Sequence, residues 1–460
     1  MSTQPLDFIV DERRVPKHIF LIVVDAMKYD YLRRHQLPNI QALVANGVSF
    51  ENAIASNVKA ETAPGFATIS TGTYVKDHGI SGSSDWYDRE SKDLKYIFDE
   101  TTGKLFMERP GIAEFIKSIE PSSKVAAISS KDRHALLLAG DGADVVAYSY
   151  REHTDREGHF SGSGMSSDNY VWVERVGHEL PAYLKDMKMP RRVDWKGTGF
   201  NHSDVDTAMT PYIDEFIMDG ALNILEQEQP KLLLIGLVGP NIVAHKLSTT
   251  APEMDHSMDV IDQQIGRLVD QVKAMGWMDD SLFIVTADHG MAEKPNSIDL
   301  VAELNSRGHE DFVDNIAHMY KGAAGGLYLH DNKQEVIDET VAALRKIEHV
   351  SGAWHKFDSE APWFIRRGAH KRSPDIIILP EFRYQILPLG AKDVVHETTH
   401  GAPYFDDLSI ALIFSGCGVN RLGTVGDNDI APDALITDEQ ADALPEQTQI
   451  RSTLQRILQV

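Results

Sequence analysis

Cysteine is almost missing from this chain of 460 residues: Cys417 stands alone. One thiol closes no disulfide within the chain, and a formylglycine or cysteine-nucleophile enzyme would have to use that single residue. Long apolar runs are missing too. No stretch reaches the roughly 18 apolar residues of a membrane-spanning helix. The opening residues, MSTQPLDFIVDERRVPKH, lack the continuous apolar core of a signal peptide. The chain therefore reads as cytoplasmic, or periplasmic if a leader has been removed. Positive charge is scarce: 45 Lys and Arg against 69 Asp and Glu leave a formal charge of −24. That balance argues against a nucleic-acid backbone or an anionic membrane as the main partner. An anion site here would need positive charge concentrated locally, from metals or Lys/Arg. Internal repeats and low-complexity tracts are absent as well.

What is present is an ordinary globular composition, 42% apolar and 25% charged. The length suffices for a large single fold with insertions, or for two domains. Three runs, HIFLIVV at 18–24, KLLLIGLV at 231–238 and LFIVTA at 282–287, have the continuous apolar character of strands buried on both faces. KVAAIS at 124–129 is a fourth strand. Each run stops at a polar tip: Asp25; Ser130-Lys131-Asp132-Arg133; Gly239-Pro240-Asn241 with His245 beyond; Asp288-His289-Gly290. Amphipathic helices are expected over 37–47, 111–119, 211–226 and 253–275. A repeating strand, polar tip and helix predicts an α/β fold. Its central sheet is mostly parallel and flanked by helices, with ligands gathered at the carboxyl ends of the strands.

Residues from about 150 to 205 lose steady periodicity and read as a surface insertion. Beyond Met291, segments at 298–307, 325–330, 333–347 and 374–380 predict a smaller α+β cap. The expected division is a core of residues 15–300 plus 396–460, with the cap, 301–395, inserted into it. A further core strand is expected at 408–415 and a closing helix at 447–458.

The organising stretch is residues 61–80, ETAPGFATISTGTYVKDHGI. Pro64 suits the first turn of a helix, where its missing N–H costs nothing. Thr62, just ahead, is either a helix cap or a hydroxyl beside unpaired N–H groups that would hold a phosphoryl oxygen. The strand tips favour the second reading. Asp25, Asn241, His245, Asp288, His289 and His400 form a mixed carboxylate and imidazole set that suits zinc, with manganese or iron as alternatives. Two metals about 4 Å apart can clamp the attacking and leaving oxygens of an in-line displacement, and the lowered hydroxyl pKa makes Thr62 a nucleophile. Lys131 and Arg133, which alone would read as a solvated pair around Asp132, supply the local positive charge. Two cations over the terminal oxygens favour a phosphomonoester dianion over a diester.

These residues, in this order, resemble the alkaline phosphatase superfamily, and within it the bacterial phosphate-irrepressible enzymes that use a Thr nucleophile. TAPGFATISTGTY with HGI resembles their nucleophile motif, SKDR their phosphoryl-gripping pair, and VTADHGM and THGAPY their metal-binding motifs. The resemblance implies a nucleophile at Thr62 and oxygen-gripping cations at Lys131 and Arg133. It further implies one metal on Asp25, Thr62, Asp288 and His289, and a second on an Asp, His245 and His400. The chain departs from the pattern in places. Asn241 stands where the family has that Asp, so the second metal loses an anionic ligand. Phe66 stands where close relatives carry His. The segment GISGSSDWYD lacks their phosphoryl-binding Asn, with Ser83 or Ser84 nearest, and Tyr148-Ser149-Tyr150 lacks their Trp. The expected function is a metal-dependent phosphoester hydrolase with two divalent ions, acting on a small phosphorylated substrate through phosphothreonine, with monoesters preferred. The alternatives are a phosphodiesterase or nucleotide pyrophosphatase on the same core, and an impaired relative that binds metal and phosphate without turnover.

Overall fold

The apolar runs become strands because nothing in them prefers water. The computed structural model describes residues 4–57, 61–82, 85–99, 101–150, 172–174, 179–187, 205–388, 397–427 and 429–460. HIFLIVV forms β1 (His18–Val24), buried at every position after His18. The other strands of its sheet are β2 (Gly47–Phe50), β3 (Val125–Lys131), β4 (Val145–Tyr150), β5 (Val173–Glu174), β6 (Leu232–Leu237), β7 (Ser281–Thr286), β8 (Leu412–Gly416) and β9 (Gly423–Val425). They lie in the order β9-β2-β8-β7-β1-β6-β3-β4-β5. β7, β1, β6, β3 and β4 pair in parallel, and β2 with β9 likewise; β8 runs antiparallel to β7 and β2, and β5 antiparallel to β4. The sheet is thus mostly parallel, as expected.

Register sets where the tips fall. Ile19 lies opposite both Leu232 and Leu282, and Val24 opposite Leu237. The strands therefore end together, and Asp25 N donates to Leu237 O at 2.9 Å. Helices flank the sheet, among them Thr62–Thr71, Asp132–Ala139, Val205–Glu228, Pro252–Ala274 and Gln449–Ile457. Pro252–Ala274 carries the expected signals: Pro in its first turn, Glu253 and Asp255 toward the positive end of its dipole, and Lys273 in the last turn. None of the helices among the described residues is long and apolar enough to cross a membrane.

Several elements differ from the sequence-based expectation. The core strand expected at 408–415 forms as β8 but starts later, at Leu412 after the short helix Phe405–Leu408, and it runs antiparallel to its neighbours. The turn-rich segment after Ile80 contains a hairpin, Asp85–Asp88 paired with Asp93–Tyr96. Of the expected insertion, the described pieces are β5 and the helix Ala182–Lys185; the rest, like Ser83 and Ser84, lies outside the described residues. A second sheet pairs Ile316–Tyr320, Gly325–Leu329, Ile376–Pro380 and Val350–His355 in that spatial order, all antiparallel. Its strand Ile376–Pro380 serves two cores. Ile376 and Ile378 join the smaller apolar cluster with Leu327, Leu329 and Leu344, while Ile377 and Leu379 join the main one. Alternation along a strand places successive side chains on opposite faces.

Candidate metal centre and nucleophile

Two carboxylates meet at the carboxyl ends of β1 and β7. Asp25 follows β1 directly, and the chain then turns sharply through Ala26, whose φ of 61° is left-handed. That uncommon conformation in a non-glycine residue aims the Ala26 N–H at Asp288 Oδ1, 3.0 Å away. His289 N donates to the same oxygen at 3.1 Å. Asp288 Oδ1 is therefore satisfied, whereas Asp288 Oδ2 and Asp25 Oδ1 are buried without a hydrogen-bond donor among the described residues. Behind them, Gln447 Nε2 donates to the carbonyls of Ala287 and Asp288 at 2.8 and 2.6 Å, which fixes the tip of β7.

His289 stands between the carboxylates. Its Nδ1–H donates to Gly290 O at 2.8 Å, which leaves the Nε2 lone pair facing inward. Nε2 lies 3.4 Å from Asp25 Oδ1, 3.3 Å from Asp288 Oδ2 and 3.4 Å from Thr62 Oγ1. Thr62 is the first residue of the helix Thr62–Thr71, not its cap: Glu61 holds the cap position, and no side chain makes a cap hydrogen bond. The helix reaches the site because of Gly65. A Cβ there would come within 2.4 Å of the Asp288 carbonyl oxygen and 2.8 Å of Asp288 Cβ. Any other side chain would push Thr62 away from the carboxylates.

The donor set fits a divalent cation. Asp25, Asp288 and His289 each offer a ligand atom, all within 4.8 Å of one another and fully buried. Two buried carboxylates so close cannot both be charged without a cation. Burial and the Asp25 charge push the Asp288 carboxyl well above the usual carboxylate range. Burial would raise Asp25 as well, yet it stays well below that range because Lys131, His134 and His289 together outweigh the penalty. Burial pushes His289 down to about 4, so its imidazole is neutral and able to ligate. An expected outcome follows. Zinc affinity should fall as the pH drops through the raised range of the Asp288 carboxyl, with a proton released on binding there, because a protonated carboxyl is a poor ligand. Calorimetry in buffers of different ionisation enthalpy measures this; uptake with no proton released would contradict it.

The remaining ligand candidates lie alongside. The His400 ring stacks on His289 with centroids 3.5 Å apart and 12° between planes, and His245 stands 5.2 Å from His400. His245 Nδ1–H donates to Thr398 O at 3.1 Å, again leaving Nε2 as the ligating atom. Burial pushes this imidazole down to about 4. Asn241 lies four residues earlier on the same helix, Gly239–Lys246, and so on the same face. Its Oδ1 is buried without a donor among the described residues. Sequence reasoning missed Asp214, whose buried carboxylate accepts from Val238 N at 2.8 Å and Gly239 N at 2.9 Å and so anchors the start of that helix. Its burial pushes the carboxyl up to about 7. Only the fold reveals it, since Asp214 sits inside an ordinary amphipathic pattern.

Lys131 and Arg133 are brought to the site in different ways. Lys131, the last residue of β3, donates from Nζ to Asp25 Oδ2 at 2.8 Å. It neutralises a buried carboxylate, so it is no solvated surface charge. Arg133 is buried in the first turn of Asp132–Ala139, and its charge bears on both His289 and His134. Phe66 is buried and stacks on His134, with centroids 4.1 Å apart. His134 was missed in the sequence, although it directly follows Arg133.

Comparison with known proteins extends the picture. The profile of the family described as type I phosphodiesterase / nucleotide pyrophosphatase matches residues 19–403. Alkaline phosphatase PhoK of Sphingomonas sp is 26% identical, over 87% of this chain and 83% of that protein. Bis(5'-adenosyl)-triphosphatase ENPP4 of Homo sapiens is 22% identical, over 61% of this chain and 48% of its own. The crystal structure of wild-type alkaline phosphatase PafA superposes with a TM-score of 0.76 at 19% identity, covering 97% of this chain and 96% of its own. That likeness is one of fold.

Proposed function

The chain belongs to the type I phosphodiesterase / nucleotide pyrophosphatase family and is a phosphoester hydrolase; from that premise we propose a phosphomonoesterase in which Thr62 is the nucleophile. The observation that carries the reading is the placement of Thr62 Oγ1, 3.4 Å from His289 Nε2 at the start of a buried helix, beside two donor-free carboxylate oxygens. Divalent ions, zinc first among them, would be held by Asp25, Thr62, Asp288 and His289 on one side and by Asn241, His245 and His400 on the other. When bound they would supply Lewis-acid charge that lowers the hydroxyl pKa and offsets charge developing on the phosphoryl group.

The protein's own groups do the rest. Thr62 Oγ attacks phosphorus in line, the ester oxygen leaves with the P–O electron pair and ends with the proton the hydroxyl gives up, and a covalent phosphothreonine results. Water then cleaves that bond, releasing phosphate and restoring the hydroxyl. In the first helical turn Pro64 has no N–H and Gly65 N donates to Glu61 O at 3.0 Å, which leaves the N–H groups of Thr62 and Ala63 without a partner inside the helix and available to a phosphoryl oxygen. Lys131 and Arg133 add cationic charge on the same side of the sheet, against a chain of net charge −24. The substrate would be a small phosphorylated molecule.

The class of ester is tested with paired substrates. An aryl phosphate should exceed a methyl aryl phosphodiester in kcat/KM by roughly 10- to 100-fold, the worth of one charge-assisted hydrogen bond of about 1.5–3 kcal/mol. Equal or reversed values would support the phosphodiesterase reading. Asn241 tests whether the centre is complete. An amide oxygen brings no charge, so Asn241→Asp should tighten the second zinc, as read by metal analysis during chelator titration. If the unsubstituted chain holds one zinc and turns over nothing, while Asn241→Asp gains both, it is an impaired relative.

A further inference from the structure

His134 is buried to 0% exposure yet has no apolar task that a leucine could not perform. Its Nε2 lies 3.3 Å from Asp25 Oδ2, within ion-pair distance, and among the described residues it makes no aligned hydrogen bond. A carboxylate only accepts, so the ring proton belongs on Nε2; the opposite tautomer would set two lone pairs face to face in a dry interior. Nδ1 lies 3.2 Å from Ser129 Oγ, whose single proton is shared between that nitrogen and Gly236 O, 2.9 Å away. The Phe66 ring fixes the plane of the imidazole by stacking on it at 20°. Space for the arrangement is reserved by Gly236 in the otherwise apolar β6. A Cβ there would come within 2.8 Å of Ser129 Oγ and 3.2 Å of His134 Cβ.

The two oxygens of Asp25 are thereby made unequal. Oδ2 faces Lys131 Nζ at 2.8 Å and His134 at 3.3 Å. Oδ1 has no donor among the described residues and faces His289 Nε2 at 3.4 Å. We propose that His134 is a positioning residue for Asp25: together with Lys131 it holds Oδ2, so that Oδ1 alone is presented to the cation beside Asp288 and His289. The proposal rests on the reading of Asp25 as a metal ligand. It also accounts for Phe66, which serves as the stacking support of a different imidazole. Groups that orient a ligating carboxylate typically contribute 10- to 100-fold in metal affinity.

The test uses two substitutions of similar size and polarity. In His134→Gln the side-chain amide reaches the place of Nε2 and keeps a donor toward Asp25; in His134→Asn it reaches only the place of Nδ1, toward Ser129. Zinc affinity of the full chain is measured by chelator competition, with Asp25→Asn identifying the site concerned and thermal midpoints of the metal-free proteins checking the fold. His134→Asn should weaken zinc by about 10- to 100-fold, and His134→Gln should stay close to the unsubstituted chain. Equal affinities for the two variants, whether both retained or both lost, would overturn the positioning role alone. An unsubstituted chain that takes up no zinc would overturn the metal-site reading and this proposal with it.

Discussion

Thr62→Ala should lower turnover of an aryl phosphate by roughly 10⁴- to 10⁶-fold, the usual cost of deleting a covalent nucleophile. Zinc uptake should persist, because Asp25, Asp288 and His289 still offer three ligand atoms within 4.8 Å of one another. The folded state should be almost untouched. Thr62 makes no cap hydrogen bond, and alanine is the best helix former for a position inside the first turn. This separates the nucleophile from the helix cap with which the sequence alone left it competing. A cap would lose about 0.5–2 kcal/mol of stability on truncation, with only an indirect effect on rate. Full activity of Thr62→Ala with metal bound would refute the covalent mechanism. A large drop in unfolding midpoint with modest rate loss would return Thr62 to a structural role.

Lys294→Met should destabilise the chain by about 3–5 kcal/mol, the cost of leaving a buried ion without its partner. Lys294 Nζ donates to Asp407 Oδ2 at 3.0 Å, and both side chains have 0% exposure. The ammonium also lies 5.3 Å from the centre of the Phe382 ring and 5.5 Å from that of Tyr404. Burial pushes the Asp407 carboxyl up, and the lysine offsets only part of that rise. The pair matters to the site because Asp407 O accepts from Gly290 N at 2.8 Å and Asp406 O from Met291 N at 3.2 Å, directly behind His289. Denaturant midpoints measure the effect. The double substitution Lys294→Met with Asp407→Leu should recover most of the loss, since it removes both charges together. A neutral single variant would show that the pair carries no stability.

Legibility followed the range of the interactions. The strand runs could be read because burial on both faces writes itself locally as continuous Val, Ile and Leu. Their tips could be read because burial gives no reason for Asp288 and His289 to end such a run. Two short elements escaped. The hairpin at Asp85–Asp88 and Asp93–Tyr96 has too little alternation to mark it, and its Tyr87 is held by rings from distant strands, His318 and Tyr328. The helix Asp132–Ala139 hid behind the charged residues that open it.

By itself the sequence determined that a mostly parallel sheet forms, that Asp25, Asp288 and His289 leave it at one edge, and that a helix begins at the Thr62 stretch. These are matters of pattern, set by hydrophobic period and by turn and cap chemistry within a few residues. Only the tertiary structure decided which atom faces which. It placed Glu61, rather than Thr62, in the cap position, turned Lys131 onto Asp25, and set His134 behind the same carboxylate. It also paired Lys294 with Asp407, 113 residues away. Such choices depend on register between strands and on the room left by Gly65 and Gly236, and no local stretch of sequence encodes them.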